Sequence, residues 1–181
     1  MRRVLFLFGE LSDSDVEWLG GVSRLAKLAV GDVLIEAGRR PTQLAILLDG
    51  ELAVVTAGAQ PTEIARLHTG EVVGELTFLD PRPPLVSVVA HTPCLVLQVA
   101  HASVEARLAR DSDFGVRFYR GLGVFLASRL RETTGRIGLR GGDAGLAEQS
   151  LAADELDDES MDRTALAARR FEFLRAKLGV A

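Results

Sequence analysis

The side chains of this sequence best suited to catalysis or metal binding are three histidines, His68, His91 and His101, and one cysteine, Cys94. The histidines lie 23 and 10 residues apart. A metal-binding double-stranded β-helix enzyme instead brings two histidines from one strand in an H-x-H pattern, with a carboxylate shortly after. His68 precedes Thr69-Gly70 and His91 precedes Thr92-Pro93, turn signals that put both in solvent. No G-x-S-x-G and no phosphate loop ending in Gly-Lys-Ser/Thr occurs. A single cysteine can form no internal disulfide and supply no multi-cysteine cluster, so it reads as a buried thiol. The expectation is a non-enzyme with no catalytic residue, no metal and no resident cofactor.

The informative stretch is Gly74-Glu75-Leu76-Thr77-Phe78-Leu79-Asp80-Pro81-Arg82-Pro83-Pro84-Leu85-Val86-Ser87-Val88-Val89-Ala90. A glycine ending a strand, an acid directly after it and a short helical turn leave free backbone N–H groups at a helix start, an arrangement that receives an anion.

The elements that would position this stretch are mostly strands. Residues 11–20 read as a short helix capped by Ser12 and stopped by Gly20-Gly21. From Val22 to Ala100, short apolar or alternating runs separated by Gly, Pro and Asp predict about eight antiparallel strands. Asp49-Gly50, between LAILL and ELAVV, reads as a tight hairpin turn. Turn signals about every ten residues favour a double-stranded β-helix, or jelly roll, over a βαβ fold. The period then becomes helical: His101–Arg110 is one short helix, and Phe114, Phe118, Leu122, Leu126 and Leu130 recur every fourth residue along a long helix over 112–137. The chain is thus mainly β with helical ends.

The order and texture of these segments resemble the cyclic nucleotide-binding domain, the family of catabolite activator protein and kinase regulatory subunits. Its phosphate-binding cassette runs approximately Gly-Glu-Leu-x-Leu, a few residues, then Arg-Ala/Ser-Ala-x-Val-x-Ala. LFGELSDSDVEWL, GDVLIEAG and LLDGELAVV fit its other motifs, so the resemblance covers about residues 8–140. It implies that Glu75 takes a ribose hydroxyl, and that Gly74, Leu76, Arg82, Leu85, Val86 and Ser87 surround a cyclic AMP or cyclic GMP ligand. It also implies that Thr133 and Thr134 meet the adenine across the dimer. Ungapped alignment puts Pro84, not arginine, at the phosphate-pairing position, with Arg82 two residues upstream. Pro84 has no N–H to donate, and Leu85 and Val86 replace small residues. Losing a charge-assisted phosphate contact of about 1.5–3 kcal/mol weakens binding by roughly one to two powers of ten.

Residues 1–142 balance 16 acids with 16 bases, whereas residues 143–181 hold nine acids against five bases. A basic footprint for nucleic acid is missing. About 40 residues follow the long helix, against the roughly 70 of this family's winged helix-turn-helix, so no direct DNA binding is expected. No apolar run approaches a membrane span, and a cytoplasmic protein is expected. The organisation reads as a domain over 1–140, a flexible acidic linker over 141–160 and an amphipathic tail helix over 161–181, with Leu166, Arg170, Phe173 and Leu174 on one face. The tail docks on its own domain, on a dimer mate or on a partner protein. The long helix outreaches a small roll, so Phe118, Leu122, Phe125, Leu126 and Leu130 are expected at a homodimer interface. The function implied is a regulatory sensor module acting through a partner protein. The alternative is a degenerate adaptor or scaffold that binds no nucleotide.

Overall fold

The computed structural model describes residues 5–140 and 158–180. Most of the acidic segment, 141–157, lies outside the described residues. Six helices and eight strands are described: α1 (Leu5–Glu10), α2 (Asp13–Val22), β1 (Arg24–Leu28), β2 (Val33–Ile35), β3 (Gln43–Asp49), β4 (Glu51–Thr56), β5 (Glu63–His68), β6 (Val72–Val73), α3 (Glu75–Leu79), β7 (Val86–Ala90), β8 (Cys94–Ala100), α4 (His101–Leu108), α5 (Ser112–Arg140) and α6 (Asp158–Lys177). The strands form two four-stranded antiparallel sheets, ordered β1-β8-β3-β6 and β2-β7-β4-β5. Strand alternation divides the apolar residues between two cores. Ala45, Leu47 and Val96 face the opposite sheet, with Leu52, Leu67 and Val88. Leu44, Ile46, Leu48, Leu97 and Val99 face the helices, with Phe114, Phe118 and Leu122. β3 is therefore buried on both faces, which accounts for its unbroken run LAILL.

Asp49-Gly50 is not a hairpin turn. β3 pairs with β6 and β8 and β4 with β5 and β7, so the pair marks the corner where the chain crosses between sheets. Only Gly50 has positive φ, at 91°. A Cβ there would stand 2.4 Å from the Pro93 carbonyl oxygen. The turn chemistry was legible, but a corner and a hairpin ask for the same residue.

α1 shows no helical period of its own, since six residues are too few to display one, and Leu7 and Phe8 acquire their burial from distant elements. α2 runs through Gly20-Gly21 to Val22 rather than stopping there. The reason for Gly20 lies in α6, since a Cβ on it would come within 3.1 Å of Leu174 Cδ1. Ser12 does cap α2, in a reciprocal box with Asp15: Asp15 N–H donates to Ser12 Oγ at 3.2 Å and Ser12 N–H to Asp15 Oδ2 at 2.8 Å.

The long helix has two faces, and the expected interface divides between them. Phe118, Leu122 and Phe125 are fully buried in the chain's own core, against α1 and the β3–β8 face, and are not free for a second subunit. Leu126 is half-buried, and Leu130 is 68% exposed. Gly121 lets α1 lie against α5, because a Cβ would stand 3.0 Å from Leu7 Cδ1 and 3.2 Å from Leu7 Cα. Gly123, two residues on, faces open space. α6 packs on α1 and α2, with Ala167, Phe171 and Leu174 buried. The expected tail face is corrected by one position, for Phe173 points away and is half-exposed.

Candidate functional site

The cassette begins where β6 ends. Gly74 has φ 88°, and a Cβ on it would meet the Gln43 carbonyl oxygen at 2.6 Å, so only glycine fits both the conformation and the approach. Its carbonyl accepts from Phe78 N–H and from Thr77 Oγ, both at 3.0 Å, which winds the five-residue α3.

α3 turns Glu75 inward, where its side chain is buried. Arg129, reaching back from α5, donates through Nη1 to Glu75 Oε1 at 2.6 Å. The guanidinium also lies 5.4 Å from the centre of the Phe125 ring. Burial pushes the Glu75 carboxyl above the ordinary carboxylate range, and the Arg129 charge opposes that shift without cancelling it. Arg129 escaped the sequence reading: it sits beside the apolar stripe, 54 residues from Glu75, and nothing local in RLRETT marks it as the partner of the cassette acid.

The remaining expected contacts diverge. Arg82 is 85% exposed and turns to Asp80, donating through Nε to Oδ2 at 2.7 Å. It does not curl back to replace the missing arginine. The Pro84 carbonyl accepts from Gly38 N–H at 2.7 Å, and Leu85 is 88% exposed. Ser87 Oγ accepts from Ala37 N–H at 3.0 Å and so ties β7 to the loop after β2. Thr133 and Thr134 are exposed, and their hydroxyls donate to the Arg129 and Leu130 carbonyls one turn back, both at 2.9 Å. Of the expected ligand residues, Gly74, Glu75, Leu76 and Val86 line one cavity. Arg82, Leu85, Ser87, Thr133 and Thr134 do not.

That cavity has a volume of about 80 Å³ and is lined by Ile35, Val54, Leu67, Val88 and Arg129 among others. Small-molecule sites span about 300–1,000 Å³. The Glu75 carboxylate is taken by Arg129, the one cation among the residues that line this cavity. Among the described residues no cluster of His, Cys, Asp or Glu could hold a metal ion, and no helix is long and apolar enough to cross a membrane.

Residues 25–111 match the model of the cyclic nucleotide-binding domain. A cyclic nucleotide-binding domain from Methylobacillus flagellatus KT superposes with TM-score 0.68 at 22% identity, over 76% of this chain and 82% of that one. The N-terminal domain of a transcriptional regulator from Streptomyces coelicolor A3(2) gives 0.59 at 25% identity, over 72% and 94%. The regulatory subunit of a cAMP-independent protein kinase A from Trypanosoma brucei gives 0.50 at 21% identity, over 60% of this chain and 44% of that one. A triple variant of that subunit, one of whose changes introduces an arginine, has been seen bound to cAMP in its A site. No curated protein is detectably similar in sequence.

Proposed function

We propose that this chain is a non-catalytic regulatory module on a cyclic nucleotide-binding fold. Its own Arg129, rather than cAMP or cGMP, closes the cassette, and it works as a homodimer through a partner protein. The observation that carries this reading is the 2.6 Å contact of Arg129 with Glu75. A ligand moves a two-state element only by binding one state better than the other. A nucleotide entering here would have to separate Arg129 from the buried Glu75 carboxylate, with no arginine at position 84 to compensate. α5 is therefore fixed against the roll by a side chain of the chain itself, which suits an adaptor better than a nucleotide sensor. The trypanosome subunit described as cAMP-independent offers a parallel on the same fold.

Calorimetric titration with cAMP and with cGMP should give no heat, or a Kd weaker than about 10 µM. A submicromolar Kd in the unaltered protein would overturn the reading. The combined variant Pro84→Arg, Leu85→Ala, Arg129→Gln supplies the charge, the small residue and an open carboxylate together, and should bind at least about tenfold more tightly than the parent.

The homodimer rests on the outer face of α5. Val116, Tyr119, Gly123, Leu126, Leu130 and Thr133 follow one another by alternating steps of three and four, the spacing of a coiled-coil seam. Val116 and Leu130 are each 68% exposed. Gly123 costs about 1 kcal/mol relative to alanine in a helix interior, and nothing among the described residues accounts for it. A second copy of α5 crossing there would use the space. Equilibrium sedimentation at about 50 µM should give a dimer, and Val116→Glu with Leu130→Glu a folded monomer. A monomeric parent protein would remove the homodimer from the proposal.

A further inference from the structure

A ligand-sized groove lies outside the cassette. Between β2 and the start of β3, beside β8, runs a groove of about 460 Å³, within the range of small-molecule sites. Leu34, Ile35 and Ala45 give it apolar walls, and its polar groups converge from three segments. Arg39 and Arg40 come from the β2–β3 loop, Gln43 from β3 and Gln98 from β8. Arg24 Nη2 donates to Gln98 Oε1 at 2.9 Å, which orients that carboxamide and leaves its N–H groups as donors. Arg39 lies 3.7 Å from Glu36, while Arg40 has no carboxylate partner among the described residues. Two guanidinium groups, Arg39 and Arg40, therefore line the groove against one carboxylate, Glu36. Gln43 Oε1 is buried and receives no hydrogen bond, a state that costs about 1–3 kcal/mol and that a donor arriving from the groove would relieve.

We propose that this groove binds a small organic anion whose apolar body carries an N–H or O–H donor. The anionic group sits between Arg40 and the Gln98 amide, the body lies on Leu34 and Ile35, and the donor is received by Gln43 once its amide turns toward the groove. The site shares the Ile35 wall with the closed cassette but depends on neither the dimer nor the failure to bind nucleotide. It is also one residue away from the cassette, because the Gln43 carbonyl is the group against which Gly74 packs. Occupancy at Gln43 is thus placed to bear on the turn that carries Glu75.

Indole-3-acetate, with one carboxylate, one N–H and one flat apolar body, is a probe of this chemistry, and indole-3-acetamide is its neutral counterpart. Backbone amide NMR titration of the full chain should show saturable shifts centred on residues 33–45 and Gln98 with the acetate, at a Kd below about 1 mM. The amide should bind about tenfold more weakly. Arg40→Gln, at an exposed position, should remove the preference for the acetate, and Gln43→Leu should weaken both probes. Shifts centred on Glu75–Val88 or on the α2–α6 groove, equal affinity for the two probes, or no saturation below about 10 mM would each overturn the proposal.

Discussion

Replacing Asp15 with alanine is expected to cost about 3–5 kcal/mol of folding stability at neutral pH, because it leaves two arginines facing a buried void. The Asp15 side chain has no exposure at all. Arg117 donates to it from α5 through Nε at 2.7 Å and Nη2 at 3.2 Å, and Arg107 donates from α4 through Nη2 at 2.5 Å. Arg107 is itself held between the Trp18 and Phe114 rings, 4.6 and 4.3 Å from their centres. One carboxylate thus joins α2, α4 and α5 and caps its own helix as well. Burial opposes its charge, but the hydrogen bonds from Arg117 and from the Ser12 cap outweigh burial and hold the carboxyl below the ordinary range. A carboxyl with a depressed folded pKa gives stability that is complete above its unfolded value, near 4, and is lost as pH falls through the folded one. In urea unfolding, the gap between the parent and Asp15→Asn should therefore be widest at pH 7 and shrink below about pH 4. A loss under about 1 kcal/mol for Asp15→Ala, or a gap that ignores pH, would show that the cluster does not hold the helices together.

The Asp15 cluster shows where sequence reading reaches and where it stops. The Ser12–Asp15 cap is legible because its partners are three residues apart, and so are the strands, whose alternation is local. Arg107 and Arg117 lie 92 and 102 residues from Asp15, and no pattern short of the fold brings them to it. The cassette divides in the same way. Its outline from Gly74 to Ala90 was recognisable, and the consequence of Pro84 followed from chemistry. Its closure by Arg129 depends on how α5 lies across the roll. The four-residue stripe on α5 was real, but a stripe does not say whether it meets its own core or a neighbour. Phe118, Leu122 and Phe125 went to the core because α1, invisible to periodicity, was there to receive them.

The tail settles which of two phenylalanines two residues apart carries the stability of α6. Phe171 is buried and stands edge-on to Phe8, with ring centres 5.9 Å apart, while Phe173 is half-exposed beside the α2–α6 groove. The basic character of α6 also finds its reason at this contact. Arg170 meets Asp13 at 2.6 Å and the Phe8 carbonyl at 3.0 Å, and Lys177 meets Glu17 at 3.1 Å. Such surface pairs are worth about 0–1 kcal/mol each, so they set the orientation of the helix more than its affinity. The apolar face supplies the affinity: Ala167, Phe171 and Leu174 belong to the same core as Phe114 and Phe118. Phe171→Ala should therefore cost about 3–5 kcal/mol in chemical unfolding, in one transition with the β-roll. Phe173→Ala should stay within about 0.5 kcal/mol of the parent. The reverse order would put the tail on the face that its spacing alone suggested. A separate early transition for Phe171→Ala would make α6 a detachable helix rather than part of the domain core.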